Sequence, residues 1–296
     1  MALVVLLWGL NFVVSRVLTG LPPVRVSGVY YAFFRYFLGA LTMIGVLVCQ
    51  RKGSARINAE LKSYRKNLAL SALLSALFVM MLHTSTEYIS SGTSSIIVNL
   101  NPIIVFAIGV AFYSESISRM KVSGFLLGVL GGLTLLITSI SLGPLTAIGV
   151  FFAGSAMVLW AAYTISLQYL EGADSYIVMG VQHTVSTAMM IPFIVVLLLE
   201  GVPLILVLDL VSIAGLLFAG VLASGLAYVL YFTVIEIVGA PRASSFLFLM
   251  PFVGVVGDFL LGEPPTTVVL IAGAAALLGV GMIRLSDDRL GGKDEK

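Results

Sequence analysis

The residues best suited to hold a polar ligand stand at helical spacings inside long apolar runs. Trp8, Asn11, Phe12 and Ser15 recur at i, i+3, i+4 and i+7, so they share one helix face. Trp160, Tyr163 and Thr164 make a matching set in the second half of the chain. An aromatic plane beside an amide or hydroxyl suits a ligand with an apolar body and a polar head. Met80, His83, Thr84 and Glu87 repeat the spacing, and His83 is a group that can bond a carboxylate or change charge near neutral pH. Ser95, Asn99, Pro102 and Phe106 align on another face, whereas Asn101 faces a different side of the same helix. Ser224, Tyr228 and Tyr231 form a polar-aromatic wall. The ligand-binding set is therefore Trp8, Asn11, His83, Asn99, Trp160, Tyr163, Tyr228 and Tyr231. Pro102 and Pro251 lack an N–H and free the carbonyls of Val98 and Leu247, which makes each a ligand contact, a hinge or a static kink. Glu87 and Arg35 are the candidates for coupling to an ion such as a proton. Arg35 has two further readings, as a partner for a ligand carboxylate and as a structural or snorkelling cation. Gln182, His183 and Asp258 are further polar groups in apolar surroundings. For all of them hydrogen bonding between helices is the competing role.

The elements that position these residues follow from composition. Of 296 residues 59% are hydrophobic and 10% charged, and 30 charges cannot cover a soluble domain of that size. A bilayer core about 30 Å thick needs roughly 20 apolar residues per helix. Runs near 2–18, 28–50, 68–86, 93–113, 121–140, 146–170, 175–199, 211–235, 241–261 and 266–285 meet that length, which predicts an all-α integral membrane protein of ten transmembrane helices. The first run, ending at Arg16 and Gly20-Leu21-Pro22-Pro23, reads as a span and not a cleaved signal. Thirteen Lys and Arg fall on one side of these spans, six of them in the 51–66 loop and others at Arg119, Lys121, Arg242 and the tail out to Lys296, against Arg16 and Arg25 on the other. That asymmetry predicts both termini in the cytoplasm of a multi-pass cytoplasmic-membrane protein. The 51–66 loop then touches anionic lipid headgroups, and nucleic acid is not a partner. A single cysteine, Cys49, excludes an internal disulfide and a cysteine-based metal cluster, and no metal site or cofactor is predicted. The oligomeric state leaves no signal.

The chain also repeats itself. At an offset of 149 Ser75 meets Ser224, Thr84 meets Thr233, Glu87 meets Glu236, Ser95 meets Ser244, Pro102 meets Pro251 and Gly124 meets Gly273. At 152 Leu7-Trp8-Gly9 meets Leu159-Trp160-Ala161, and at 148 Glu115 meets Glu263. The halves 1–143 and 144–296 each hold five spans, so the second enters the membrane upside down. Inverted repeats place a ligand site near the midplane at their interface. Gly124, Gly128 and Gly132 form a stripe for close helix packing.

Several stretches resemble the drug/metabolite transporter superfamily in its ten-helix EamA-like branch. Leu7-Trp8-Gly9-Leu10-Asn11-Phe12-Val13 is similar to that family's first helix and Phe34-Arg35-Tyr36-Phe37-Leu38 to its second. The segment 88–137, with Asn101-Pro102, Glu115 and a glycine-rich helix, resembles its longest pattern, which 243–283 repeats through Pro251, Gly262-Glu263 and Gly273. The resemblance implies a transporter of small organic solutes, often an exporter of amino acids or related metabolites, and not an enzyme. Alternating access about the repeat interface is the expected mechanism. A lipid or polyprenyl-carrier flippase and a multidrug exporter are the alternatives. Intramembrane proteolysis has least support, since neither a second membrane aspartate, a Gly-x-Ser-x-Gly nor a His-Glu-x-x-His occurs.

Overall fold

A computed structural model describes residues 1–112, 117–141, 143–170, 172–238 and 246–294. Glu115, Arg242, Ser244 and Lys296, which carry part of the repeat and of the charge asymmetry, lie outside them. The helices are α1 (Ala2–Thr19), α2 (Gly28–Cys49), α3 (Ser54–Tyr88), α4 (Ser91–Val98), α5 (Asn101–Phe112), α6 (Arg119–Ser141), α7 (Pro144–Leu167) and α8 (Ser175–Leu199). They continue as α9 (Leu210–Leu217), a π-helical stretch at Phe218–Leu226, α10 (Ala227–Val238), α11 (Met250–Leu260) and α12 (Thr267–Asp294). Among the described residues eight helical segments are long and apolar enough to cross a membrane, and Met250–Leu260 and Thr267–Ile283 are shorter apolar helices. Their outward faces are aliphatic and aromatic: Leu210 is 82% exposed, Leu199 81% and Phe151 68%. In water such a surface would drive aggregation, whereas lipid solvates it.

Three departures from the expected ten simple spans matter for the site. First, the basic 51–66 segment is not a loop. The helix begins at Ser54, because Ile57, Leu61, Tyr64 and Leu68 fall on one stripe, of which Leu61, Tyr64 and Leu68 pack in one cluster with Leu170 and Met179. Arg56, Lys62, Arg65 and Lys66 point away from that stripe and are exposed. Second, the fourth span is broken. Asn99 and Leu100 leave helical geometry, and Pro102, second residue of α5, has no N–H for the carbonyl of Val98. The Asn101 amide donates to that carbonyl at 3.0 Å instead. Pro251 likewise sits second in α11, directly after a 3₁₀ turn at Phe246–Leu249, so it starts a helix where a mid-helix kink was expected. Third, the Ala227 amide bonds to the carbonyl of Leu222, five residues back, which leaves the Ala223 carbonyl free of its normal partner.

Small residues set the closest helix contacts. A Cβ on Gly279 of α12 would strike the Gly124 carbonyl and the Gly128 amide of α6. Gly128 and Gly132 of the same stripe instead meet Ile103 and Leu100. Against α2, the π stretch presents Gly220 to Leu38 and Gly225 to Thr42. The two ends of the bundle are tied separately. At the basic end Asp174 caps α8 and pairs with Lys52 and Arg56. Burial pushes the Asp174 carboxyl up, but the Lys52 ammonium, the Ile177 amide and Arg56 together hold it below the ordinary value. At the far end the loop before α2 pairs with the loop before α9, through the Val26–Leu206 bridge and an Arg25–Asp209 ion pair at 2.9 Å.

Two outcomes follow. Gly279→Val should cost about 1–3 kcal/mol through overpacking. Gly281→Ala, with open space around it, should leave the melting temperature in detergent unchanged or slightly raised. The Ser212 amide and hydroxyl, with Arg25, hold the Asp209 carboxyl down to about 2 from 3.8. A depressed folded value stabilises above the ordinary one and is lost as pH falls through about 2. The melting temperature should therefore drop between pH 4 and pH 2, and Asp209→Asn should remove that part of the drop (~2 pH units wide).

Candidate functional site

Five of the residues read from the sequence as ligand-binding, with Arg35 and Asn101, line one cavity of about 70 Å³ between the two halves of the chain. That is room for about five water-sized groups. Trp8, Asn11 and Phe12 come from α1, Arg35 from α2, Phe78 and Leu82 from α3. Val98, Asn99 and Asn101 flank the break between α4 and α5. Trp160 of α7, Tyr228 of α10, and Leu247 and Met250 close it from the second half. A larger groove of about 320 Å³ lies at the basic end, lined by Ile44, Leu47, Val48 and Val181. It is a surface feature: Val48 is 70% exposed, and Lys52, its cation, is already held by Asp174. Polar groups converging in an apolar enclosure mark the smaller cavity as the site.

Each lining group is fixed by its own partner. The Trp8 indole N–H donates at 2.8 Å to the Ala223 carbonyl that the π stretch releases, and its ring meets Tyr228 and Tyr231 at 5.0 and 5.2 Å. The Asn11 carboxamide oxygen accepts from the Tyr31 hydroxyl at 2.9 Å. Asn99 donates to the Ser95 carbonyl at 2.8 Å. The break turns Asn101 onto the same cavity as Asn99, although a continuous helix would hold them on different faces. Trp160 stacks at a tilt on Phe78 at 4.7 Å.

Arg35 is buried, and its Nε donates to Ser224 Oγ at 2.8 Å. Its Nη1 lies 2.9 Å from His83 Nε2. Guanidinium can only donate, so His83 Nε2 accepts and the proton sits on Nδ1. Nδ1 then donates to Ser15 Oγ at 2.8 Å, Ser15 to Thr86 Oγ1 at 2.7 Å, and Thr86 back to the His83 carbonyl at 2.8 Å. His83 is thereby a neutral prop behind Arg35 and stands outside the cavity lining. Tyr163 also turns away, donating at 3.0 Å to Gln182, which donates at 2.7 Å to Ser71. Tyr231 backs Trp8. Glu87 is remote from the cavity: its carboxylate accepts from the Gly28 amide at the start of α2. His183 gives Nδ1–H to the Met179 carbonyl at 2.9 Å, and its buried Nε2 has no partner. Phe78, Leu82, Leu247 and Met250 were not singled out in the sequence, where nothing distinguishes them from other apolar residues.

Asp258 of α11 is fully buried and bonds to the amino end of α4. Its oxygens accept from Ser90 Oγ and Ser91 Oγ, each at 2.6 Å, and from the Gly92 amide at 2.9 and 3.0 Å. Nearby Arg16 makes a two-pronged contact with Glu263 at 2.6 and 2.8 Å and reaches the carbonyls of Thr86 and Glu87. These contacts join the two halves beyond the cavity.

The model of the EamA-like transporter family matches residues 1–137 and again 147–285. The chain belongs to the EamA-like transporter family. It is 26% identical to the uncharacterized transporter YvbV of Bacillus subtilis over 92% of this chain and 86% of that protein. It is 24% identical to a probable amino-acid metabolite efflux pump of Salmonella typhimurium, over 93% and 90%. One solved crystal structure overlays on 95% of this chain and 94% of its own with a TM-score of 0.64 at 14% identity, a likeness of fold alone. As an EamA-like transporter the chain is a multi-pass membrane protein and not an enzyme.

Removing the buried acceptor at the amino end of α4 takes away the partner of the Gly92 amide and leaves Ser90 and Ser91 only their longer bonds to Thr93 and Gly254. Asp258→Ala should therefore cost about 3 kcal/mol in a detergent melt, and Asp258→Asn, which keeps an acceptor, clearly less.

Proposed function

We propose that this EamA-like transporter moves a small organic solute of the amino-acid or related metabolite type across the cytoplasmic membrane by alternating access, as an exporter or facilitator. One observation carries the reading: the cavity is walled by residues 8–101 on one side and 160–250 on the other, so any shift of one half against the other opens or closes it. The twofold match of the family model supports two related halves, and the order of helices fits ten passes in two inverted sets of five. The two shorter apolar helices complete the ten. Ties between the halves at both ends, Asp174 with Lys52 and Arg56 at one, Arg16 with Glu263 and Asp258 with Ser90 and Ser91 at the other, describe a closed arrangement around the site. The basic end faces the cytoplasm, with both termini on that side. The names of relatives in Salmonella typhimurium and Escherichia coli as probable amino-acid metabolite efflux pumps support the solute class.

Counterflow in proteoliposomes tests it. Vesicles loaded with one unlabelled amino acid should accumulate the same labelled compound for some members of a panel and not others. Asn11→Ala and Trp160→Ala should lower the initial rate by about tenfold while melting near the wild type. His83→Ala should lower it through Arg35. Full rates in folded Asn11→Ala and His83→Ala would remove the site assignment. Accumulation of a lipid probe, and of no amino acid, would favour a flippase.

A further inference from the structure

Arg35 differs from the four cations that the structure pairs with acids. Arg16 has Glu263, Arg25 has Asp209, and Lys52 and Arg56 share Asp174. Arg35 is 6% exposed, and its partners are all neutral: the Ser224 hydroxyl, the His83 ring and the face of Tyr36, 5.8 Å from its Cζ. Ser224 and His83 take Nε and Nη1, which lie on different edges of the guanidinium, and Nη2 has no protein partner among the described residues. A guanidinium in an apolar enclosure without an anion is costly unless the cavity itself supplies one. Beside it the Asn11 amide spends its oxygen on Tyr31 and keeps its N–H₂ free of protein partners among the described residues.

A second pair of lining groups has the opposite polarity. Asn99 and Asn101 each spend an amide N–H on a carbonyl of α4, Ser95 and Val98, and the side-chain oxygen of each has no donor among the described residues. Asn99 stands at the carboxyl end of α4, the negative pole of that helix dipole, whose positive pole is already met by Asp258, and Asn101 opens α5 two residues on. Amide oxygens at a helix carboxyl end, next to the π-faces of Trp8 and Trp160, suit an ammonium group.

We infer that the cavity is polarised for a zwitterion: Arg35 and Asn11 bind a carboxylate, and the oxygens of Asn99 and Asn101 bind an ammonium group. The inference deepens the transporter reading proposed above and rests on it. The solute class is then an α-amino acid with an uncharged side chain small enough for the enclosure. The aromatic walls take that side chain. A basic side chain would bring a second cation into a cavity that already holds Arg35, and an amine without a carboxylate would leave Arg35 unmatched.

The test compares L-alanine, L-valine and L-leucine with the amine and the carboxylic acid that each gives on losing one charged group. Counterflow is measured in proteoliposomes of the wild type, Arg35→Gln and Arg35→Lys, with detergent melts as the check on folding. The wild type should move at least one amino acid about tenfold faster than its amine and its acid. Arg35→Gln should lose about tenfold in that rate, and Arg35→Lys, which lacks the planar fork, should regain part of it. Competition of the unlabelled amines and acids with wild-type uptake gives the same ranking if Arg35→Gln does not fold. Amines moved as fast as amino acids, or a folded Arg35→Gln at full rate, would overturn the carboxylate role of Arg35 and leave a carrier standing. Acids moved well and amino acids not at all would overturn the zwitterion. No movement of any of these compounds by folded wild type would overturn both the zwitterion and the amino-acid reading.

Discussion

Inside a bilayer a backbone N–H or carbonyl that leaves its helix has no water to turn to, so every break in a span needs a partner from elsewhere in the chain. Two of the breaks in this protein are repaired by residues that line the cavity, and a third lies beyond it. Pro102 frees the Val98 carbonyl, and Asn101 takes it. The π stretch frees the Ala223 carbonyl, and Trp8 takes it across 215 residues. The amino end of α4 needs acceptors, and Asp258 supplies them from α11. In each case the repairing side chain is one that the sequence marks as costly in lipid. The same substitution that would remove a possible ligand contact would also expose a backbone group, which is why melting and transport have to be measured together for these positions.

The second organising interaction is the fixed orientation of Arg35. Long cationic side chains ordinarily move toward water. Here Ser224 from the second half and His83 from α3 hold two edges of the guanidinium, and Ser15 and Thr86 lock the ring of His83. The close approach that lets Ser224 reach Arg35 depends on small residues, since a Cβ on Gly39 would collide with Ser224 and His183. Packing of α2 against the π stretch thus sets the geometry of the cation directly.

The long apolar runs with their turn residues made most helix positions legible from sequence, because length and hydropathy decide insertion. The helical start of α3 was legible in principle, on the stripe Ile57, Leu61, Tyr64 and Leu68, but the charge density of 51–66 outweighs that stripe in any reading by composition. Trp8, Asn11, Asn99, Trp160 and Tyr228 reach the cavity as their helical spacing suggests. His83, Tyr163 and Tyr231 lie one layer behind. Spacing along one helix gives a face, and which neighbour covers that face is settled by packing between helices. Asn101 was misplaced for a different reason: its face was drawn on a continuous helix, and the break at Asn99 and Leu100 rotates everything after it.

The same geometry bears on energetics of transport. Among the described residues lining the cavity there is no carboxylate and no histidine. The acids that would carry a proton, Glu87 and Asp258, are spent on the amino ends of α2 and α4. On the zwitterion reading the solute crosses without net charge, and the fixed cation Arg35 stays with the protein. On that reading the lining groups described do not themselves carry a proton across with the solute. A carrier with no coupled ion would relieve an internal excess of its solute and would be unable to concentrate it. That consequence separates facilitation from proton-coupled export more directly than the identity of any single residue.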